Sequence, residues 1–229
     1  MTPRDGVLAF DVNETLLDLR ALDAPFTAVF GDAALRPAWF QTMLQLSFVG
    51  GLTGEYVDFT TAQHAALRMI AARAGIEVSD AQGDAIVEGM RALPAHPDVP
   101  EALERLRDAG FRQVSLTNSP LDVVRDQLTN AGLADRFDAI LSADEVRALK
   151  PAPRPYRLVA ERMGVDLGRV RLIAAHGWDV SGALAAGAEA AFVARPGAVL
   201  SPLGRQPDLV GRDIADVADQ LIARGRASS

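Results

Sequence analysis

VLAFDVNETLLDL, residues 7–19, runs four apolar residues straight into Asp11 and follows them with a polar knot, Asn13, Glu14 and Thr15, before turning apolar again. A short apolar run bounded by polar residues predicts a buried strand, here Val7 to Val12, of a parallel sheet. Its carboxylate then stands at the strand's C-terminal end, where open α/β sheets bind their ligands. Further along the chain the same texture repeats. FRQVSLTN (111–118), FDAILSA (137–143), VRLIAAH (170–176) and AAFVAR (190–195) alternate with helical stretches such as SPLDVVRDQLTNAG, PRPYRLVAERMG and WDVSGALAAGA. That βαβα rhythm predicts an α/β fold: a doubly wound parallel sheet covered by helices on both faces.

Between about Leu17 and Leu93 the texture is helical throughout. LRPAWFQTMLQLSFVGG, VDFTTAQHAALRMIAARAG and SDAQGDAIVEGMRAL place apolar residues near i, i+3, i+4 and i+7, with Gly50-Gly51 and Gly75 as expected breaks and Ser79 as an N-cap. The expected organisation is a core of residues 1–16 and 95–229, with residues 17–94 inserted as a helical cap over the first strand's end.

Composition narrows the chemistry. The 229 residues are 49% hydrophobic, enough for a substantial core. A net charge of -7 without a basic cluster argues against a nucleic-acid partner. No apolar run approaches the roughly 18–20 residues that span a bilayer, and MTPRDG lacks the apolar segment of a secretory leader, so the expectation is a cytoplasmic protein with no membrane partner. Cysteine is absent and the three histidines, His64, His96 and His176, are scattered. Thiolate chemistry is therefore excluded and a histidine-rich metal site is not expected. Carboxylates, hydroxyls, amides and cations remain, and the polar clusters Asp11 to Thr15, Thr117-Asn118-Ser119, Lys150-Pro151 and His176-Gly177-Trp178-Asp179 all fall at or just beyond strand ends on one rim of the sheet. Helix capping accounts for each of them singly, but not for their convergence.

The ordered set DVNET, LTNS, KPAPRPY and HGWDVSGA resembles the haloacid dehalogenase superfamily over nearly the whole chain, and within it is most similar to the L-2-haloacid dehalogenases. The resemblance implies Asp11 as a nucleophile that displaces halide from a small 2-haloacid, forming an ester that water hydrolyses to the 2-hydroxy acid with inversion. It further implies that Thr15, Lys150 and Asn118 hold Asp11 in line, with Lys150 at the rim. Strand-end N–H groups at Val12 and Asn13, with the Thr117 hydroxyl, would receive the substrate carboxylate. Arg36 in the cap would take the halide, with Arg20 as its competitor. Tyr156 and Trp178 would contribute to the substrate site, and Asp179 and His176 would orient or deprotonate the hydrolytic water. Phosphatases of the superfamily need acids where this chain has Asn13 and Ala175, so metal-independent chemistry without a cofactor is expected. A phosphatase of small organic phosphates and a non-catalytic receiver-like module remain as alternatives, and a homodimer is compatible with the apolar cap helices. Glu14 and His176 stand where Gly and Asn are usual in the resembling enzymes; Glu14 is expected to face solvent, and His64 and His96 are expected to have no role.

Overall fold

The computed structural model describes residues 6–227; Met1 to Asp5, read above as carrying no secretory leader, lie outside them. Six parallel strands, β1 (Val7–Phe10), β2 (Arg112–Thr117), β3 (Ala139–Ser142), β4 (Val170–Ala174), β5 (Glu189–Val193) and β6 (Leu209–Gly211), form one sheet in the order β3-β2-β1-β4-β5-β6. β1 is central, paired in register with β2 (Val7 opposite Arg112) and β4 (Val7 opposite Val170). The strand order reverses on either side of it, which opens a crevice at its C-terminal end. β1 ends at Phe10, two residues short of the expected end, and the chain turns over residues 14–16, where the Leu16 and Leu17 N–H groups donate to the Val12 carbonyl.

Alternation along β1 assigns the two faces. Leu8 and Phe10 join the core formed with α5 (Val99–Asp108), α6 (Leu121–Asn130) and α9 (Ile214–Ala227), whereas Val7 and Ala9 join the opposite core, under α7 (Pro153–Met163) and α8 (Gly177–Ala186). A parallel strand buried on both faces has to be apolar at every position, as this one is.

Four helices, α1 (Asp23–Phe30), α2 (Leu35–Thr53), α3 (Phe59–Ala74) and α4 (Asp80–Gly89), intervene between β1 and α5. Where the chain leaves and re-enters the sheet the two passages are hydrogen bonded, Asp18 N–H to the Pro94 carbonyl (2.8 Å) and His96 N–H to that of Leu16 (2.9 Å). Ser79 caps α4 in a reciprocal capping box with Gln82, and Gly75 (φ 65°) ends α3, both as the sequence predicts. Gly50-Gly51 does not end α2. The helix runs through to Thr53 and stops at Gly54 (φ 78°). Gly50 serves packing instead, since a Cβ there would lie 2.6 Å from the Glu55 carbonyl oxygen. Trp39 is fully buried in the helical layer; it packs on Phe26 and donates its indole N–H to the Gln63 carbonyl (3.0 Å).

Candidate active site

Asp11 emerges from β1 with its backbone N–H still bonded to the Ile173 carbonyl of β4 (3.0 Å), so the strand itself sets the direction of its side chain. Lys150 Nζ donates to one carboxylate oxygen (2.8 Å) and Thr15 Oγ1 to the other (2.6 Å). Thr15 is oriented in turn, because its hydroxyl accepts from Ala175 N–H (2.9 Å) and has its hydrogen left for Asp11. Lys150 has no donor to spare: its ammonium also reaches the Leu116 carbonyl (2.9 Å) and Asp179 (2.6 Å). The lysine is 1% exposed, which corrects its expected place at the rim; it forms the floor of the site.

The electrostatics follow from one cation between two carboxylates. Burial works to raise the pKa of Asp11, but the charge of Lys150, that of His176 and the hydrogen bonds from Lys150 and Thr15 outweigh it and hold the carboxyl below its ordinary 3.8. Asp179 goes the other way, pushed up by burial and by the Asp11 charge against the pull of Lys150. Burial also presses on Lys150, yet Asp11 and Asp179 together keep its pKa raised, so the ammonium stays charged. Asp11 and Asp179 thus share one cation, and Asp179 is the more readily protonated of the two.

Asn118 holds Lys150 rather than Asp11. Its amide oxygen accepts from Lys150 N–H (2.8 Å) and its amide N–H donates to the Lys150 carbonyl (3.2 Å). Tyr156, expected among substrate contacts, lies beneath the site and donates to Asp179 (2.6 Å). Asn13 is also committed: its amide donates to Ser119 Oγ (3.2 Å) and accepts from Gln127 (3.0 Å). An amide with both ends occupied, and a methyl at Ala175, do not fit the carboxylate oxygens that a magnesium ion would need.

A small cavity of about 10 Å³ adjoins Asp11, lined by Asn13, Thr117, Asn118, Lys150, His176 and Trp178 from the sheet side. Phe40 and Leu44 of α2 and Phe59 of α3 cover it. His176 and Trp178 also line a second cavity of about 730 Å³, together with Glu14, Arg20 and Arg36. Arg36 is thus not in the Asp11 cavity: it pairs with Asp23 (2.6 Å) and faces Glu14 (3.8 Å), whereas Arg20 pairs with Asp18 on the surface. The His176 ring stacks between Phe40 (5.7 Å) and Trp178 (5.3 Å), and its Nε2 lies 3.1 Å from the Asn13 carbonyl. Glu14, expected to face solvent, instead turns toward this ring from a left-handed backbone (φ 61°). Phe40, an aromatic on an apolar helix face of a kind more often buried in a core, stacks on His176 at this cavity.

Comparison with known proteins agrees with this geometry. The profile of the haloacid dehalogenase-like hydrolases matches residues 6–187. The chain is 30% identical over 218 residues to haloacetate dehalogenase H-2 of Moraxella sp. (strain B), covering 94% of this chain and 97% of that one. It is 33% identical over 190 residues to the (S)-2-haloacid dehalogenase of Xanthobacter autotrophicus, covering 82% and 74%. The structure of the L-2-haloacid dehalogenase of Xanthobacter autotrophicus with chloropropionic acid covalently bound superposes with a TM-score of 0.88 at 28% identity, over 96% of this chain and 99% of that one. With a profile match that spans most of its length and a buried, ion-paired Asp11 at the switch point of its sheet, the chain belongs to the haloacid dehalogenase-like hydrolases.

Proposed function

We propose that this protein is a hydrolytic dehalogenase of short (S)-2-haloacids, and that residues 17–94 act as the lid over a core of residues 1–16 and 95–229. One observation carries the reading: a buried carboxylate at a sheet's switch point is kept ionised by Lys150 and aligned by Thr15, inside a cavity too small for bulk water. That is the state in which a weak oxygen nucleophile can attack carbon. The relatives carry the substrate class, since they are named for haloacetate and (S)-2-haloacids, and one holds chloropropionic acid covalently.

In the first step a carboxylate oxygen of Asp11 forms a bond to C2 of the substrate from the face opposite the halogen, and the carbon–halogen bond breaks with its electron pair. The strand-end N–H groups at Val12 and Asn13 and the Thr117 hydroxyl bind the substrate carboxylate. The departing halide meets Phe40, Phe59, Asn118 and Trp178, whose buried indole N–H has no acceptor among the described residues. Arg36 would join them only by leaving Asp23. In the second step water adds to the Asp11 ester carbonyl and the bond to the substrate oxygen breaks. One proton of that water ends on the product hydroxyl, and the other leaves as Asp11 returns to a carboxylate.

Halide leaves without protonation, so the acid that Asn13 replaces is not needed, and no metal ion or cofactor enters either step. The test is chloride release from (S)-2-chloropropionate against phosphate release from an aryl phosphate, each before and after exhaustive EDTA treatment. Chloride release that survives EDTA supports the proposal; phosphate release that requires magnesium supports the phosphatase instead. A cytoplasmic location, in keeping with a chain free of cysteine, belongs to the same proposal. So does a homodimer, to which the exposed Val49 and Leu52 of α2 would contribute apolar surface. No helix among the described residues is long and apolar enough to cross a membrane.

A further inference from the structure

Gln127 takes no part in either step, yet it is fully buried on α6, an amide among the apolar positions Val123, Val124 and Leu128. Its side-chain oxygen has no hydrogen-bond partner among the described residues. A buried acceptor without a donor is costly, and a leucine would fill much the same space without that cost. The nitrogen at the other end of the amide is fully used. It donates to the Met90 carbonyl (2.8 Å), in the segment that returns from the helical layer to the sheet, and to the side-chain oxygen of Asn13 (3.0 Å).

The Met90 carbonyl sets the direction of the bonds that follow. A backbone carbonyl only accepts, so the Gln127 end beside it is the NH2 group, and the Asn13 atom facing that same nitrogen is the amide oxygen. The Asn13 nitrogen is thereby turned to Ser119 Oγ (3.2 Å). Ser119 is held at two further points: its carbonyl accepts from Ser142 Oγ (2.6 Å), and its N–H donates to Thr117 Oγ1 (3.2 Å). As the acceptor in that last bond, the Thr117 hydroxyl keeps its own hydrogen for another partner. Asn13 and Thr117 line the Asp11 cavity, whereas Gln127 and Ser119 do not.

We propose that Gln127 is a positioning residue for recognition of the substrate carboxylate: it fixes the Asn13 amide, which fixes Ser119, so that the Thr117 hydroxyl is presented to the cavity as a donor. The proposal rests on the dehalogenase reading, which gives that hydroxyl a carboxylate to bind. A carboxylate only accepts, so the hydroxyl serves it by donating its hydrogen, and the bond received from Ser119 N–H leaves that hydrogen free. Were the Asn13 amide turned over, its nitrogen would face the Gln127 NH2, donor against donor. The relay does not touch the nucleophile, which keeps its bonds from Lys150 and Thr15. Loss of Gln127 therefore loosens the grip on the substrate without disarming Asp11. Because the first acceptor belongs to the return from the helical layer, substrate recognition is tied to the seating of that layer on the sheet.

Rapid quench with intact-mass detection, over a range of (S)-2-chloropropionate concentrations, gives the half-saturating concentration and the saturating rate of Asp11 ester formation separately. In Gln127→Leu the half-saturating concentration should rise roughly tenfold and the saturating rate stay within about threefold, the signature of lost binding that ground state and transition state share. Ser119→Ala cuts the relay at its other end without a change in α6 and should give the same split; it decides the matter should Gln127→Leu not fold. The double variant should lie within about twofold of the worse single one, since both substitutions cut one chain of bonds. An unchanged half-saturating concentration in Ser119→Ala or in folded Gln127→Leu, an equal change in both quantities, or additive effects in the double variant overturns the role of Gln127 and leaves the dehalogenase reading standing. A wild-type enzyme that forms no adduct and releases no halide overturns both.

Discussion

At the scale of single residues, the site is one ammonium shared by two buried carboxylates, and two predictions follow from that sharing. Because Lys150 and Thr15 hold Asp11 below its ordinary pKa, the nucleophile remains ionised well into acid. Ester formation, measured by quench and mass detection, should therefore be flat from about pH 8 down to about pH 5; a fall beginning near neutrality would mean that Asp11 is not so depressed. Lys150→Met should abolish halide release. It should also lower stability to denaturant by about 3–5 kcal/mol, since it leaves two buried carboxylates without their cation. A fully stable variant would contradict the ion triad. Much of this cluster was legible in the sequence, because DVNET, LTNS, KP and WD set residue types at strand ends. Three details were not. The burial of Lys150, the turn of Glu14 toward His176 and the distance of Arg36 from Asp11 depend on tertiary packing, which spacing along the chain does not encode.

The elements show where local pattern suffices and where close approach overrides it. Periodicity and caps located α2, α3 and α4 to within a few residues, and apolar runs located five strands. β6 has three residues and a half-exposed Val210 at the sheet edge, too short for any period to emerge, and the sequence reading stopped before it and α9. Gly50-Gly51 looked like a break because glycine costs roughly 1 kcal/mol within a helix, but the backbone of Glu55 crosses close over position 50. The two glycines should accordingly respond in opposite ways. Gly50→Ala forces a Cβ to 2.6 Å from a backbone oxygen and should destabilise by about 1–3 kcal/mol. Gly51→Ala meets nothing within 4 Å and should stabilise by up to about 1 kcal/mol. Paired denaturation curves decide it, and similar shifts for both would contradict the close approach.

Across the whole molecule, the helical layer and the sheet share one apolar core: Leu16, Leu17 and Leu93 at the crossing connect Phe26, Trp39 and Leu67 on one side with Leu103, Val124 and Leu128 on the other. Polar ties at the margin, among them Tyr56 to Asp144 and Arg91 to Asp122 (2.8 Å), add little beside such burial. The protein should unfold in a single cooperative transition. Its two tryptophans allow this to be read on each side, Trp39 from the helical layer and Trp178 from the sheet rim, in Trp178→Phe and Trp39→Phe variants respectively. Separate midpoints would mean that the lid melts independently. Because the helical layer shares its core with the sheet, the same packing that stabilises the fold leaves only a small cavity beside Asp11. The most direct test of Asp11 as that nucleophile is the fate of oxygen in one turnover, with enzyme in excess over (S)-2-chloropropionate in heavy-oxygen water. If the carboxylate attacks carbon, the product's 2-hydroxyl oxygen comes from Asp11 and is unlabelled, while peptide mass spectrometry finds the label in Asp11. Label in the product hydroxyl with Asp11 unmarked would make water the attacking group and contradict the covalent mechanism.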